Sequence, residues 1–278
     1  MNLVIQGPEL GEAQAQEVLA LAEGQALVKV AAHAFRVAHP AEKHRLSVQT
    51  WCDQQRVDCA WMPEGRRFAD LRLLAMDMDS TLITIECIDE IGDMAGCKPE
   101  IAGITARAMR GEIDYPESLR RRVSLLKGLD EAALLRVYEE RLRLTPGAAE
   151  LIAACKANGV KLLLVSGGFT FFTDRLKARL GIDYTISNTL EVRDGKLTGG
   201  LLGDIVDADA KAAKFLSVLE ELNAGRQQSV AIGDGANDLK MMAEAGVSIA
   251  FRAKPVVRAQ ASCALNRVGL DGVIPLLG

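Results

Sequence analysis

A doubly wound α/β core on a parallel sheet, interrupted by a helical cap and preceded by a small α+β module, is the fold this sequence predicts. Three observations carry it. Four short apolar runs, Leu71–Met76, Lys161–Val165, Ser229–Ile232 and Val247–Phe251, are separated by stretches of helical composition. Such runs mark strands buried on both faces of a parallel sheet. About sixty residues, 84–144, of helical composition and without a convincing strand lie between the first run and the helix starting near Thr145; a connection of that length forms a domain. Residues 1–62 order their segments β-α-β-β-α-β, the ferredoxin-like split pattern.

In that first module Leu3-Val4-Ile5 precedes a Glu/Ala/Leu-rich helix over 10–23. Ala26–Val30 and Phe35–Val37 follow as strands, then a helix from Pro40 to Gln55 and a strand from Val57 to Trp61. The polar joint Met62-Pro63-Glu64-Gly65-Arg66-Arg67 marks the boundary. The chain therefore divides into a regulatory or structural module at 1–66, a core at 67–84 and 145–278, and a helical cap at 85–144. Core helices are expected over 146–158, 170–180, 210–223 and 238–245. Asp194-Gly195, flanked by β-favouring residues, predicts a hairpin within 188–200.

Composition narrows the function. The chain has 278 residues, a net charge of −4, 49% hydrophobic and 25% charged residues. That mixture excludes disorder, collagen and coiled coil. The acidic balance argues against nucleic-acid binding, which needs a concentrated basic surface. No apolar run approaches the roughly 20 residues that span a membrane. The start, MNLVIQGPELGEAQ, lacks the basic flank and long apolar stretch of a secretory leader. Cys52, Cys59, Cys87, Cys97, Cys155 and Cys263 form no C-x-x-C pair, which fits reduced thiols in the cytoplasm.

In doubly wound sheets the chemistry gathers at the carboxyl ends of the strands. Here those ends carry Asp77 and Asp79, Ser166, and Asp234 and Asp238. Asp77 and Asp79 are two residues apart, so on an extended chain they point the same way. Paired carboxylates repel unless a proton or a cation lies between them, and Mg²⁺ favours hard oxygen ligands together with phosphate and water. A lone DxD more readily caps a following helix, a lone Ser-Gly-Gly is a turn, and a lysine opening a helix is usually solvated. Residues 71–278 hold no histidine, since His33, His39 and His44 all lie in the first module. Arg122 sits among apolar positions of its helix and needs a partner, whereas Arg121 points nearly opposite, toward solvent.

DMDSTLI at 77–83, Ser166-Gly167-Gly168, Lys211 and GDGAND at 233–238 resemble the four motifs of the haloacid dehalogenase-like phosphohydrolases. Glu86, nine residues after Asp77, and MRGEIDYPESLRRRVSLLKGL at 109–129 match a branch of that family that acts on phosphoserine. The resemblance covers about 71–278 and leaves the first module out. It implies Mg²⁺-dependent hydrolysis of O-phospho-L-serine to L-serine and phosphate, the last step of serine biosynthesis. It makes Asp77 the nucleophile that becomes an aspartyl phosphate and Asp79 the general acid and base. Mg²⁺ would be held by Asp77, the backbone carbonyl of Asp79, and Asp234. Ser166, the Gly167 amide and Lys211 would bind the phosphoryl oxygens, with Asn237 near them and Asp238 orienting Lys211 or a metal-bound water. Glu86 would take the substrate ammonium and Arg122 its carboxylate, while Met109 and Tyr115 close over the substrate. Tyr115 stands where phenylalanine is common.

Two other readings stay open at this level. The same phosphoenzyme could pass its phosphoryl group to an alcohol such as homoserine, or the core could serve another small phosphomonoester. A receiver-like signalling module is disfavoured by Asp79 and by a substrate-sized cap. The partner expected is a small phosphomonoester, with neither nucleic acid nor membrane. The first module is suited to binding an amino acid, to forming a homodimer, or to bracing the core.

Overall fold

A computed structural model describes residues 1–278. β1 (Asn2–Gln6), α1 (Glu12–Leu21), β2 (Ala26–Ala31), β3 (Ala34–Ala38), α2 (Arg45–Gln55) and β4 (Asp58–Met62) follow in the expected order. The four strands form an antiparallel sheet, β2-β3-β1-β4. Leu3, Ile5 and Phe35 of this sheet pack with Val18 of α1 and Val48 of α2 in one apolar cluster.

The larger sheet contains β5 (Leu73–Asp77), β6 (Lys161–Phe169), β7 (Tyr184–Arg193), β8 (Lys196–Leu202), β9 (Ser229–Gly233), β10 (Val247–Phe251) and β11 (Cys263–Leu265). Its order is β11-β10-β9-β5-β6-β7-β8, parallel throughout except for the hairpin β7-β8. Winding runs outward from β5 through β6 to β8, then returns to the other side with β9. The crevice at the carboxyl ends beside β5 is thus the topological switch point, where open α/β sheets bind ligands. β11 and the first half of β7 escape sequence patterning. β11 has three residues, too few to show a period, and Tyr184–Ser187 is only half-buried and mixes polar with apolar side chains.

Residues 85–144 carry α3 (Cys87–Met94), α4 (Lys98–Met109), α5 (Tyr115–Ser124) and α6 (Ala132–Arg136) and no strand of the sheets. Entry and exit run side by side: Thr84 N–H donates to the Arg143 carbonyl at 3.0 Å and Thr145 N–H to the Leu82 carbonyl at 2.9 Å. The remaining helices that concern the site are α7 (Ala148–Ala157), α8 (Thr170–Leu180), α9 (Ala208–Glu221) and α10 (Leu239–Glu244).

The N-terminal sheet is fastened to the core through Asp58. Its carboxylate, 4% exposed, accepts the backbone N–H groups of Asn266 and Arg267 at 2.8 Å each and Val268 at 3.2 Å. Hydrogen bonds to a charged group contribute about 1.5–3 kcal/mol. Asp58→Ala should therefore lower unfolding free energy by roughly 2–3 kcal/mol, as read from urea denaturation.

Candidate active site

Strand parity brings the acids to one place. Leu73 and Ala75 belong to the cluster that includes Phe215 and Val218 of α9 and Met241 of α10, while Leu74 and Met76 belong to the cluster on the other face. Asp77, two residues beyond Ala75, emerges toward α9. The buried stripe of α9 is Lys211, Phe215, Val218 and Leu219, the spacing of one core-facing side. Lys211, 1% exposed, donates from Nζ to Asp77 Oδ1 at 2.6 Å and to Asp238 Oδ1 at 2.8 Å. Asp238 Oδ2 accepts the Gly235 N–H at 3.1 Å, so both its oxygens are engaged. Asp77 Oδ2 has no protein partner.

Asp79 lies past the end of β5 but remains extended, and the chain then turns at Ser80, whose φ is +55°. Asp79 Oδ1 accepts the N–H of Cys87, the first residue of α3, at 2.8 Å. Its Oδ2 lies 3.5 Å from Ser166 Oγ. Asp79 thus does cap the following helix, while its second oxygen faces the crevice. Ser166-Gly167-Gly168 forms a bulge: Val165 pairs with Ile186 and Phe169 with Asn188, so three residues of β6 face one of β7. The Gly168 N–H donates to Ser166 Oγ at 2.8 Å. A Cβ on Gly168 would lie 2.7 Å from Asp79 Oδ2, which is why this position needs glycine.

Oxygens of Asp77, Asp234 and Asp238 converge within 4.8 Å of one another. Three hard carboxylates with no other cation than Lys211 suit a small divalent ion. Asp79 is not one of these three carboxylates and its Oδ1 is taken by the Cys87 N–H; its backbone carbonyl is the atom that the resemblance assigns to the ligand set. Thr81 Oγ1 holds Asp234 Oδ1 at 3.3 Å.

A cavity of about 80 Å³ is shared by Asp77, Asp79, Tyr115, Arg122, Gly167 and Asn237. Arg122 Nε donates to the Ser118 carbonyl at 3.4 Å. Arg121 is exposed and pairs with Glu117. Glu86 precedes α3, accepts from Ser80 Oγ at 2.6 Å, and lies outside that cavity wall. Arg122 and Lys254 are the cations whose charge reaches it. Met109 is 64% exposed, with Lys254 Nζ 3.8 Å from its sulfur, and lines none of the cavity. Tyr115, the first residue of α5, donates from its hydroxyl to the Gly167 carbonyl at 3.1 Å. Thr81, inside the DMDSTLI run, belongs to the site's surroundings, as do Asn188 and Lys254, which carry no motif of their own. Nothing in the sequence marks Asn188, since its partners Gly167 and Val206 are brought to it only by the fold.

Burial raises the carboxylates. It pushes Asp79 up to about 7, with Glu86 adding to it, and Asp234 up to about 6, with Asp238 and Glu86 adding. Asp77 is raised by burial against the pull of Lys211. Burial alone would lower the Lys211 ammonium, but Asp238 and Asp77 outweigh it and raise its pKa. One ammonium therefore stays charged between two carboxylates that share it. Native Asp79 and Asp234 hold protons that an unfolded aspartate, near 3.9, has lost. The contribution of Asp79 and Asp234 to the stability of the metal-free chain is then fully present below about pH 4 and is lost as pH rises through about 6–7. Thermal unfolding in EDTA should show Tm falling over that window; a rising Tm would contradict the assignment.

The family model of the haloacid dehalogenase-like hydrolases matches residues 74–243, and the chain belongs to that family. A phosphoserine phosphatase from Polaromonas sp. is 57% identical over 216 residues, covering 76% of this chain and 92% of its own. An unliganded crystal structure of a probable phosphoserine phosphatase from Vibrio cholerae superposes with a TM-score of 0.86 at 39% identity, over 99% of this chain and 86% of that one. A HAD family hydrolase from Salmonella enterica serovar Typhi gives a TM-score of 0.91 at 33% identity, over 100% of this chain and 99% of that one. These last two superpositions include the N-terminal module. No helix is long and apolar enough to cross a membrane.

Proposed function

We infer that this chain is a Mg²⁺-dependent phosphoserine phosphatase that releases L-serine and inorganic phosphate. The observation that carries the reading is the Asp77–Lys211–Asp238 chain beside Asp234, with Asp79 and Ser166 3.5 Å apart at the neighbouring strand end. Asp77 Oδ2 attacks phosphorus as the ester P–O bond breaks, and Asp79 passes its proton to the departing serine alkoxide. Asp79, now ionised, takes a proton from water, whose oxygen attacks the aspartyl phosphate and frees Asp77. A covalent intermediate divides one difficult displacement into two easier ones. Ser166, the Gly167 amide and Lys211 hold the equatorial oxygens, where the transition-state charge is largest. Asp77, the Asp79 carbonyl and Asp234 would hold the Mg²⁺, whose charge would offset the repulsion between the Asp77 carboxylate and the phosphate.

In this reading residues 85–144 act as the cap, 67–84 and 145–278 as the catalytic core, and 1–66 as a module bracing it. A cavity of about 80 Å³ has room for only two or three waters, so the cap opens to admit substrate. Six free thiols fit a cytoplasmic setting.

Phosphate release from a panel of phosphorylated metabolites tests the reading. Phosphoserine should be preferred, chelation should stop the reaction, and Mg²⁺ but not Ca²⁺ should restore it. Arg122→Ala should lower kcat/KM for phosphoserine about a hundredfold, since a charged group stripped of its partner costs about 2–5 kcal/mol. Phosphoethanolamine, which lacks the carboxylate, should be far less affected. Equal losses on both esters would mean that Arg122 supports the fold, not recognition. Phosphohomoserine formed on adding homoserine would mark a phosphotransferase.

A further inference from the structure

The Gly167 carbonyl accepts two hydrogen bonds. One is from Tyr115 of the cap; the other, at 2.8 Å, is from Asn188 Nδ2. Asn188 is 2% exposed, and its Oδ1 accepts the Val206 N–H at 2.8 Å. Val206 precedes Asp207, whose side chain caps α9 by accepting the Ala210 N–H at 2.9 Å. One amide side chain therefore grips both the bulged Ser166–Gly168 turn and the segment leading into the helix that carries Lys211.

We propose that Asn188 is a positioning residue for phosphoryl transfer, holding the Ser-Gly-Gly turn and the start of α9 in one register. The proposal rests on the functional reading above. A bulge leaves its residues without ladder hydrogen bonds, so Ser166–Gly168 needs other anchors. With both lone pairs of the Gly167 carbonyl taken, the planar 167–168 peptide cannot swing. Its N–H, that of Gly168, is thereby aimed at Ser166 Oγ, 2.8 Å away. That bond leaves the Ser166 hydroxyl proton for an oxygen in the crevice. The Val206 contact fixes the distance from this turn to Lys211. Misplacing a reacting group by about 1 Å can cost about a hundredfold in rate. Asn188 touches neither the cavity nor any acid of the site, so it acts through Gly167 and Val206 alone.

The test compares the full chain with Asn188→Asp and Asn188→Ala on phosphoserine with Mg²⁺. Circular dichroism confirms folding, and the assay temperature is kept well below each variant's Tm. Asn188→Asp is nearly isosteric and keeps an acceptor for Val206, but it turns an oxygen onto the Gly167 carbonyl. We expect kcat to fall tenfold or more in folded Asn188→Asp with KM changed less than threefold, because the alignment matters most in the transition state. Asn188→Ala should lose at least as much. A tenfold loss appearing in kcat supports the proposal. A smaller loss, or one confined to KM or to the unfolded fraction, overturns it. Turnover by the parent chain, measured first, tests the functional reading separately; the variant-to-parent ratio tests Asn188.

Discussion

Asp77→Asn should abolish turnover while the protein stays folded. The amide keeps the volume, and its carbonyl oxygen can still accept from Lys211 Nζ, which lies 2.6 Å from Asp77 Oδ1. What disappears is the anionic oxygen at Oδ2, the one with no protein partner and therefore the one free to attack phosphorus. Loss of a nucleophile costs about 10⁴-fold or more in kcat, and no histidine in residues 71–278 stands ready to replace it. Acid-quenched parent enzyme incubated with labelled phosphoserine should carry the label on Asp77. Label on Ser80, Thr81 or Ser166 would overturn the mechanism.

The acids were legible because strand parity and motif spacing are local. Leu73–Asp77 shows its two faces in sequence, and the structure puts Leu73 and Ala75 in one cluster and Leu74 and Met76 in the other. Lys211 was legible only through the motif spacing of the family the sequence resembles, because composition pointed the wrong way. A lysine opening a helix is usually solvated, yet Lys211, Phe215, Val218 and Leu219 form one stripe, and its apolar members mark the side that faces the core. Arg121 and Arg122 separate on the same geometric ground, one exposed and the other half-buried beside the cavity. Met109 could not be placed this way. It ends α4 with its side chain exposed, a consequence of how α4 packs on α3 and α5, not of its own neighbours in sequence. Asn188 was hidden for a similar reason. Its partners, Gly167 and Val206, are 21 and 18 residues away, and only the β6 bulge brings them within reach of one amide.

Lys211→Met separates what the lysine does for the fold from what it does for the reaction. The variant leaves Asp77 and Asp238, 5% and 0% exposed, without their shared cation. Removing one partner of a buried ion pair costs about 3–5 kcal/mol, because the remaining charge has neither water nor a counter-ion. The deficit should shrink as pH falls, since a proton can take the place of the lost ammonium. Turnover should fall about a thousandfold, the cost of removing one pre-placed donor to a developing anion. Lys211→Met/Asp238→Asn removes one of the two orphaned charges together with the cation and leaves Asp77 as the other. Denaturant midpoints should then return part of the lost stability, a non-additivity expected for side chains in direct contact. Turnover should not return, because the phosphoryl oxygens still lack their ammonium. If the double variant recovered kcat along with stability, Lys211 would be serving only to hold Asp77 and Asp238 together, and the charge on the phosphoryl oxygens would have to be met by Ser166 and the backbone N–H groups of the turn.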